Sequence, residues 1–140
     1  ATAACIIVFE SDDVKIQGNE VENCDAALSV GSWGWFAPSA DNVKIQGNTV
    51  DESLFGAYLE IVGFPGFTMT DPSVSNVKVV RNRLSGGSIG ITGIRVNTVD
   101  VSPDYDPIAD NNKLINNQIS GFATAVSDGG TATKRAANAF

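Results

Sequence analysis

A near-verbatim internal repeat constrains this chain more than any other feature. The stretch Val14 to Val21 reads Val-Lys-Ile-Gln-Gly-Asn-Glu-Val, and Val43 to Val50 reads Val-Lys-Ile-Gln-Gly-Asn-Thr-Val. A third copy runs from Val77 to Leu84 and a weaker fourth from Asn112 to Ile119. Their shared asparagines, Asn19, Asn48, Asn82 and Asn117, stand 29, 34 and 35 residues apart. Periods of this size belong to solenoids and arrays, where one unit cannot bury its apolar side until a neighbour stacks on it. Divided by that period, the chain of 140 residues holds only about four units.

Each copy alternates. Val14 and Ile16 face one way, Lys15 and Gln17 the other. Period 2 with β-branched residues reads as strand. A tight turn at Gly18 and Asn19 follows, and Val21 returns to the apolar face. A second apolar strand comes next in each unit, at 26–30, 57–62, 89–96 and 122–126. No segment carries a 3.6-residue stripe, so helix is confined at most to a terminal cap. Parallel stacking at ~4.8 Å per unit pairs each strand with its counterpart. It places Val14, Val43 and Val77 in one interior column, and Val21, Val50, Leu84 and Ile119 in another. The shared asparagines then form a ladder of amides, each donating to the next unit and tolerating a left-handed turn.

These residues, Asn42 to Val50 with its three relatives and the apolar strand after each, resemble the right-handed parallel β-helix of the pectate-lyase-like superfamily. The resemblance covers about residues 1 to 128. It implies an all-β fold: a right-handed single-stranded parallel β-helix of four to five coils with an Asn ladder. That solenoid would occupy 1–130, with 131–140 as a short cap plugged by Phe140, or a frayed tail. Family enzymes bind polysaccharide along the outer face of the first sheet, which here would hold 26–30 and 57–61. The implied function is therefore binding or processing of carbohydrate, above all acidic polysaccharide. As an enzyme it would be a polysaccharide lyase or a glycoside hydrolase. The family's catalytic boxes do not recur: Asn48-Thr49-Val50-Asp51 only echoes one, and Tyr105-Asp106-Pro107-Ile108 lacks the His of another. The competing expectation is a noncatalytic structural or protein-interaction module.

Candidate site residues fall in three groups. Loops at 31–42, 63–76 and 97–111 should leave one side of the stack together. They carry Trp33, Trp35, Phe36, Phe64, Phe67, Met69 and Tyr105. Such rings either stack on sugars or pack on one another as a satellite cluster. The substrate-binding candidates among them are Trp33, Trp35, Phe36, Phe64 and Tyr105. Alternation in the first sheet turns Leu28, Leu59, Ile61, Ile94 and Val96 inward, leaving Ser29, Tyr58, Glu60 and Arg95 outward. Tyr58, Glu60 and Arg95 are the catalytic candidates, suited to acid–base work on a sugar. A glycosidase needs a second carboxylate, for which Asp71, Asp100 and Asp104 are available. The plain alternative is a solvated Glu–Arg cross-strand pair. Finally, Lys15, Lys44, Lys78 and Lys113 share one repeat position. Their row, with Lys44 and Lys78 as binding candidates, suits an anionic polysaccharide of similar repeat length. Its alternative is a solvated face relieved by Glu20, Asp12 and Asp13, with lysines guarding against sheet pairing.

Composition sets the exclusions. The chain has no His, which removes Ser-His-Asp and Cys-His catalysis and His-bearing zinc sites. Asp104-Tyr105-Asp106-Pro107 lacks the Gly and Glu of a calcium loop, so no metal or other cofactor is expected. A net charge of −7 with pI near 4.3 argues against a nucleic-acid partner. No apolar run approaches the ~20 residues of a membrane span. Cys5 and Cys24 could form one disulfide but match no redox or metal spacing, and the expectation is two unbridged cysteines, small hydrophobes in or near the core. The chain starts inside a strand, Ala3 to Phe9, without a cap helix or signal peptide. An open solenoid end exposes unpaired edges, so a second copy or further coils should cover it, and an extracellular setting fits the family.

Overall fold

The computed structural model describes residues 4–34, 39–63, 71–100, 108–131 and 133–140. Strand is the only regular structure among them. The first repeat contains β1 (Ala4–Phe9), β2 (Lys15–Gln17) and β3 (Glu20–Glu22). The second contains β4 (Ala26–Ser32), β5 (Ser39–Asp41), β6 (Lys44–Gln46) and β7 (Thr49–Asp51). The third contains β8 (Phe55–Gly63), β9 (Ser73–Ser75) and β10 (Lys78–Val80), and runs into the long β11 (Arg83–Asp100). After it come β12 (Ile108–Asp110), β13 (Lys113–Ile115), β14 (Gln118–Asp128) and β15 (Lys134–Ala136).

Every strand pairing is parallel, and each joins a strand to its counterpart one repeat away. Three sheets result. The largest has seven strands, in the order β1-β4-β8-β11-β7-β3, with β14 added on β11. A five-stranded sheet runs β15-β13-β10-β6-β2, and a three-stranded sheet runs β12-β9-β5. The large sheet is nearly closed because β11 turns a corner. Arg83 and Leu84 pair with β7, whereas the stretch from Thr92 pairs with β8. Gly86 and Gly90 sit at that corner, where a Cβ would overlap the Gly121 carbonyl. This all-parallel arrangement is compatible with a solenoid or a barrel.

The alternating pattern explains the interior. Ile16, Ile45, Val79 and Leu114 form one buried column, and Val50, Leu84 and Ile119 another. Ala40, Val74 and Ala109 line the three-stranded side, and Val30, Leu59 and Val96 the long side. All join one core cluster. Burying a Val, Leu or Ile side chain is worth about 1.5–3 kcal/mol, so the stack is what stabilises each unit.

The shared asparagines are bonded in line. Asn19 Nδ2 donates to Asn48 Oδ1 (3.0 Å), Asn48 to Asn82 (3.0 Å), Asn82 to Asn117 (3.1 Å) and Asn117 to Asn138 (3.0 Å). Each backbone N–H of the first four points at the same acceptor. The left-handed turn conformation, however, belongs to the residue before each asparagine: Gly18, Gly47, Arg81, Asn116 and Ala137. The asparagines are there for their hydrogen bonds, not for positive φ.

Four further expectations change. The stretches expected as long loops contain β5, β9 and β12, and β11 extends far beyond the apolar core that flagged it. Among its described residues the tail lies on the last unit as a strand, not as a helix or a plug. β15 pairs in register with β13, Asn138 joins the asparagine line, and Phe140 is 79% exposed. Cys5 and Cys24 are bridged, with Cα atoms 5.9 Å apart. Parallel pairing of Ala4 with Ala26 brings the two together, which a reading of sequence spacing could not foresee. No helix of the described residues is long and apolar enough to cross a membrane.

Candidate functional site

The outward face of the large sheet holds the catalytic candidates. Strict alternation fails in one place. Ala27 and Leu28 are both in the core, while Ala26, Phe55 and Tyr58 form a separate cluster. That break lets Phe55 and Tyr58, three residues apart, meet edge to face at 5.1 Å between centroids. Tyr58 pairs across with Arg95, whose guanidinium lies 5.6 Å from both ring centroids. Glu60 pairs not with Arg95 but with Asn97, a residue the sequence reading passed over. Asn97 Nδ2 donates to the Tyr58 hydroxyl (3.3 Å). Phe55 and Tyr58 are only 7% and 6% exposed. Burial holds the Tyr58 phenol above its usual pKa; Glu60 pushes the same way, and Arg95 and Asn97 pull back in part. The phenol is thus protonated at neutral pH and is no base. The three candidates do come together, with Tyr58 buried and Glu60 and Arg95 half-exposed.

Of the aromatic candidates, Trp33 is half-buried and meets Phe9 edge to face at 5.2 Å. Its backbone N–H donates to Glu10 Oε1 (3.0 Å). Trp33 is therefore packed on the first strand and not presented as a free platform. Trp35, Phe36, Phe64, Phe67, Met69, Asp104 and Tyr105 lie outside the described residues.

The five-stranded sheet holds the lysine candidates. Lys15 pairs with Lys44, Lys44 with Lys78, and Lys78 with Lys113. Lys113 pairs in turn with Lys134. Every lysine of the chain therefore stands in one register row. Four steps of ~4.8 Å give it a length of about 19 Å. Lys15, Lys78 and Lys134 are exposed; Lys44 and Lys113 are half-exposed. The sheet's five strands also carry Arg135 and hold no carboxylate. The acids sit on neighbouring strands instead: Glu20, Glu22 and Asp51 on one side, Asp41 and Asp110 on the other. No ion pair or hydrogen bond of the described residues engages a lysine side chain. Like charges directly opposite one another repel, and this row keeps them together without a partner among the described residues.

The chain matches no protein-family model, no curated protein and no solved structure.

Charge segregation is therefore the most distinctive property of the surface. In a chain of net charge −7, one sheet is wholly basic. Lys134 was missed in sequence because its strand lacks the repeat's Val-Lys-Ile signature. The signal available was Asn138, which lies four residues after Lys134, the same spacing as Asn19 after Lys15.

Proposed function

We propose that this chain is a right-handed parallel β-helix of the pectate-lyase-like type, braced by its asparagine ladder, and that it binds a linear acidic polysaccharide on its lysine face. One observation carries the reading: all the lysines stand in a single row across the strands, on a sheet without acids. A polymer lying along the stacking axis meets one amine per rung, and a sugar unit is similar in length to a rung. Loss of mutual repulsion on binding adds to the attraction. Binding without turnover is favoured, because Tyr58 is buried and protonated and the family's catalytic boxes do not recur in the sequence. The Cys5–Cys24 bridge suits an oxidising, extracellular setting where such polymers occur.

Calorimetric titration with polygalacturonate tests this reading. The wild-type chain is expected to bind, and Lys44→Gln/Lys78→Gln/Lys113→Gln to bind at least about tenfold more weakly with its fold intact, since each lost charge contact is worth about 1 kcal/mol. Equal affinity of the two proteins, or a stable homodimer that binds no glycan at all, would refute it. The second outcome returns the chain to the class of protein-interaction modules.

A further inference from the structure

A second column of side chains runs beside the lysines. Asp13, Asn42, Asn76 and Asn111 each stand two residues before a lysine of the row. Each takes the left-handed conformation, with φ of 58°, 55°, 54° and 53°. Glycine is the least strained residue for such a φ, and this chain uses it at the equivalent positions Gly18 and Gly47 of the asparagine-ladder turn. Two residues before four of the five lysines it uses Asp or Asn instead; before Lys134 the sequence has Ala132.

Part of the reason is structural. Asn42 Nδ2 donates to Asp13 Oδ1 (2.6 Å), Asn76 Nδ2 to Asp41 Oδ1 (2.8 Å) and Asn111 Nδ2 to Asn76 Oδ1 (2.5 Å). These bonds do not exhaust the amides, since each offers two N–H donors and two acceptor lone pairs. Among the described residues, Asn42 and Asn111 each keep one N–H and the whole carbonyl oxygen, and Asn76 keeps one of each. All three are exposed. Between this column and the lysines the surface is hollowed. One depression of about 260 Å³ is lined by Asn42, Asn76, Lys78, Asn111 and Lys113. Another, of about 140 Å³, lies among Asp13, Lys15, Asn42, Lys44 and Lys78.

We infer that the lysine and asparagine columns form one two-column groove, in which the amines hold the carboxylates of a uronic-acid polymer and the asparagine amides read its hydroxyls. A hydroxyl both donates and accepts, as does an amide with one N–H and one carbonyl free. Charge alone does not distinguish a sugar polymer from any other polyanion; the amide column does. The five-stranded sheet carries no aromatic side chain on which bases could stack, which places single-stranded nucleic acid behind sugar as a ligand. This inference rests on the proposed binding face and adds its specificity.

Two polymers separate charge from hydroxyl recognition: polygalacturonate, and polyacrylate, which has carboxylates and no hydroxyls. Wild-type protein is expected to bind polygalacturonate at least about tenfold more tightly, the worth of one or two net hydrogen bonds. The double variant Asn42→Gly/Asn76→Gly keeps the left-handed backbone and every lysine. It should bring the two affinities within about twofold while leaving the salt dependence of polyacrylate binding unchanged. A preference that survives in this variant, or is absent from wild type, overturns the groove and leaves the lysine face standing. Tighter binding to oligothymidylate than to polygalacturonate overturns it as well. Failure of both carboxylate polymers to bind sinks the proposed function itself. Asn42→Ala/Asn76→Ala serves as the second variant if the glycines loosen the turns, read out with the same ratio.

Discussion

Asn48→Ala is the sharpest probe of the stacked architecture. Asn48 is 1% exposed. Its Nδ2 donates to the Ile16 carbonyl (3.0 Å) and to Asn82 Oδ1 (3.0 Å). Its Oδ1 accepts from the backbone N–H (2.9 Å) and Nδ2 (3.0 Å) of Asn19. Truncation removes all four bonds and spares the two made by the Asn48 backbone, its N–H to Asn82 Oδ1 and its carbonyl from the Arg83 N–H. A net hydrogen bond is worth about 1 kcal/mol, and an orphaned buried group costs about 1–3. Asn19 is half-exposed, so water recovers part of its loss. The sum is a destabilisation of about 2–4 kcal/mol, or a Tm lower by roughly 10 °C for a domain of this size. Asn42→Gly is the comparison: exposed, bonded once through its side chain and tolerant of glycine at its φ, it should cost less than about 1 kcal/mol. Urea unfolding of the pair, followed by circular dichroism, gives both values. If Asn48→Ala lies within about 0.5 kcal/mol of Asn42→Gly, the buried amide line is not what braces the stack.

Two other outcomes follow from the covalent and titrating groups. Thiol titration of the unfolded, unreduced chain should find no free thiol, and Cys5→Ser should lower stability by about 2–3 kcal/mol through the loop the bridge closes; two reactive thiols would show the pair unbridged. Tyr58 should ionise later than an ordinary tyrosine in an ultraviolet pH titration. Because its folded pKa is raised, the unfolded chain loses the proton first as pH climbs through about 10. The contribution is whole below that pH and disappears as pH approaches the folded value. Tyr58→Phe should therefore lose less stability at alkaline pH than wild type, and parallel alkaline losses in the two proteins would contradict the assignment.

What the sequence made legible is what repeats. Val-Lys-Ile and the shared asparagine recur at fixed offsets, so one alternation gives a strand, a core column and an outward row at once. The lysine row was readable for that reason in four of its members. Features made by the meeting of non-equivalent residues were hidden. The Cys5–Cys24 bridge depends on where β1 docks against β4, and no spacing encodes it. Glu60 faces Asn97 because of the register in which β8 meets β11, and Phe55 joins Tyr58 because alternation breaks between them. The short strands β5, β9 and β12 bury one apolar residue each, too little to register as a pattern. The asparagine column at 42, 76 and 111 was visible in the letters but carried no meaning until the pairing set it beside the lysines.

The central claim is that the lysine face is a polymer-binding surface, and the side-chain NMR signals of the five lysines test it most directly. With isotope-labelled lysine, titration of polygalacturonate should shift Lys15, Lys44, Lys78, Lys113 and Lys134 together. The shifts should revert as salt rises from about 50 to about 200 mM, where counterion competition weakens charge-driven binding, and dextran should leave all five unmoved. Lysine signals that stay in place at saturating polygalacturonate would contradict the account.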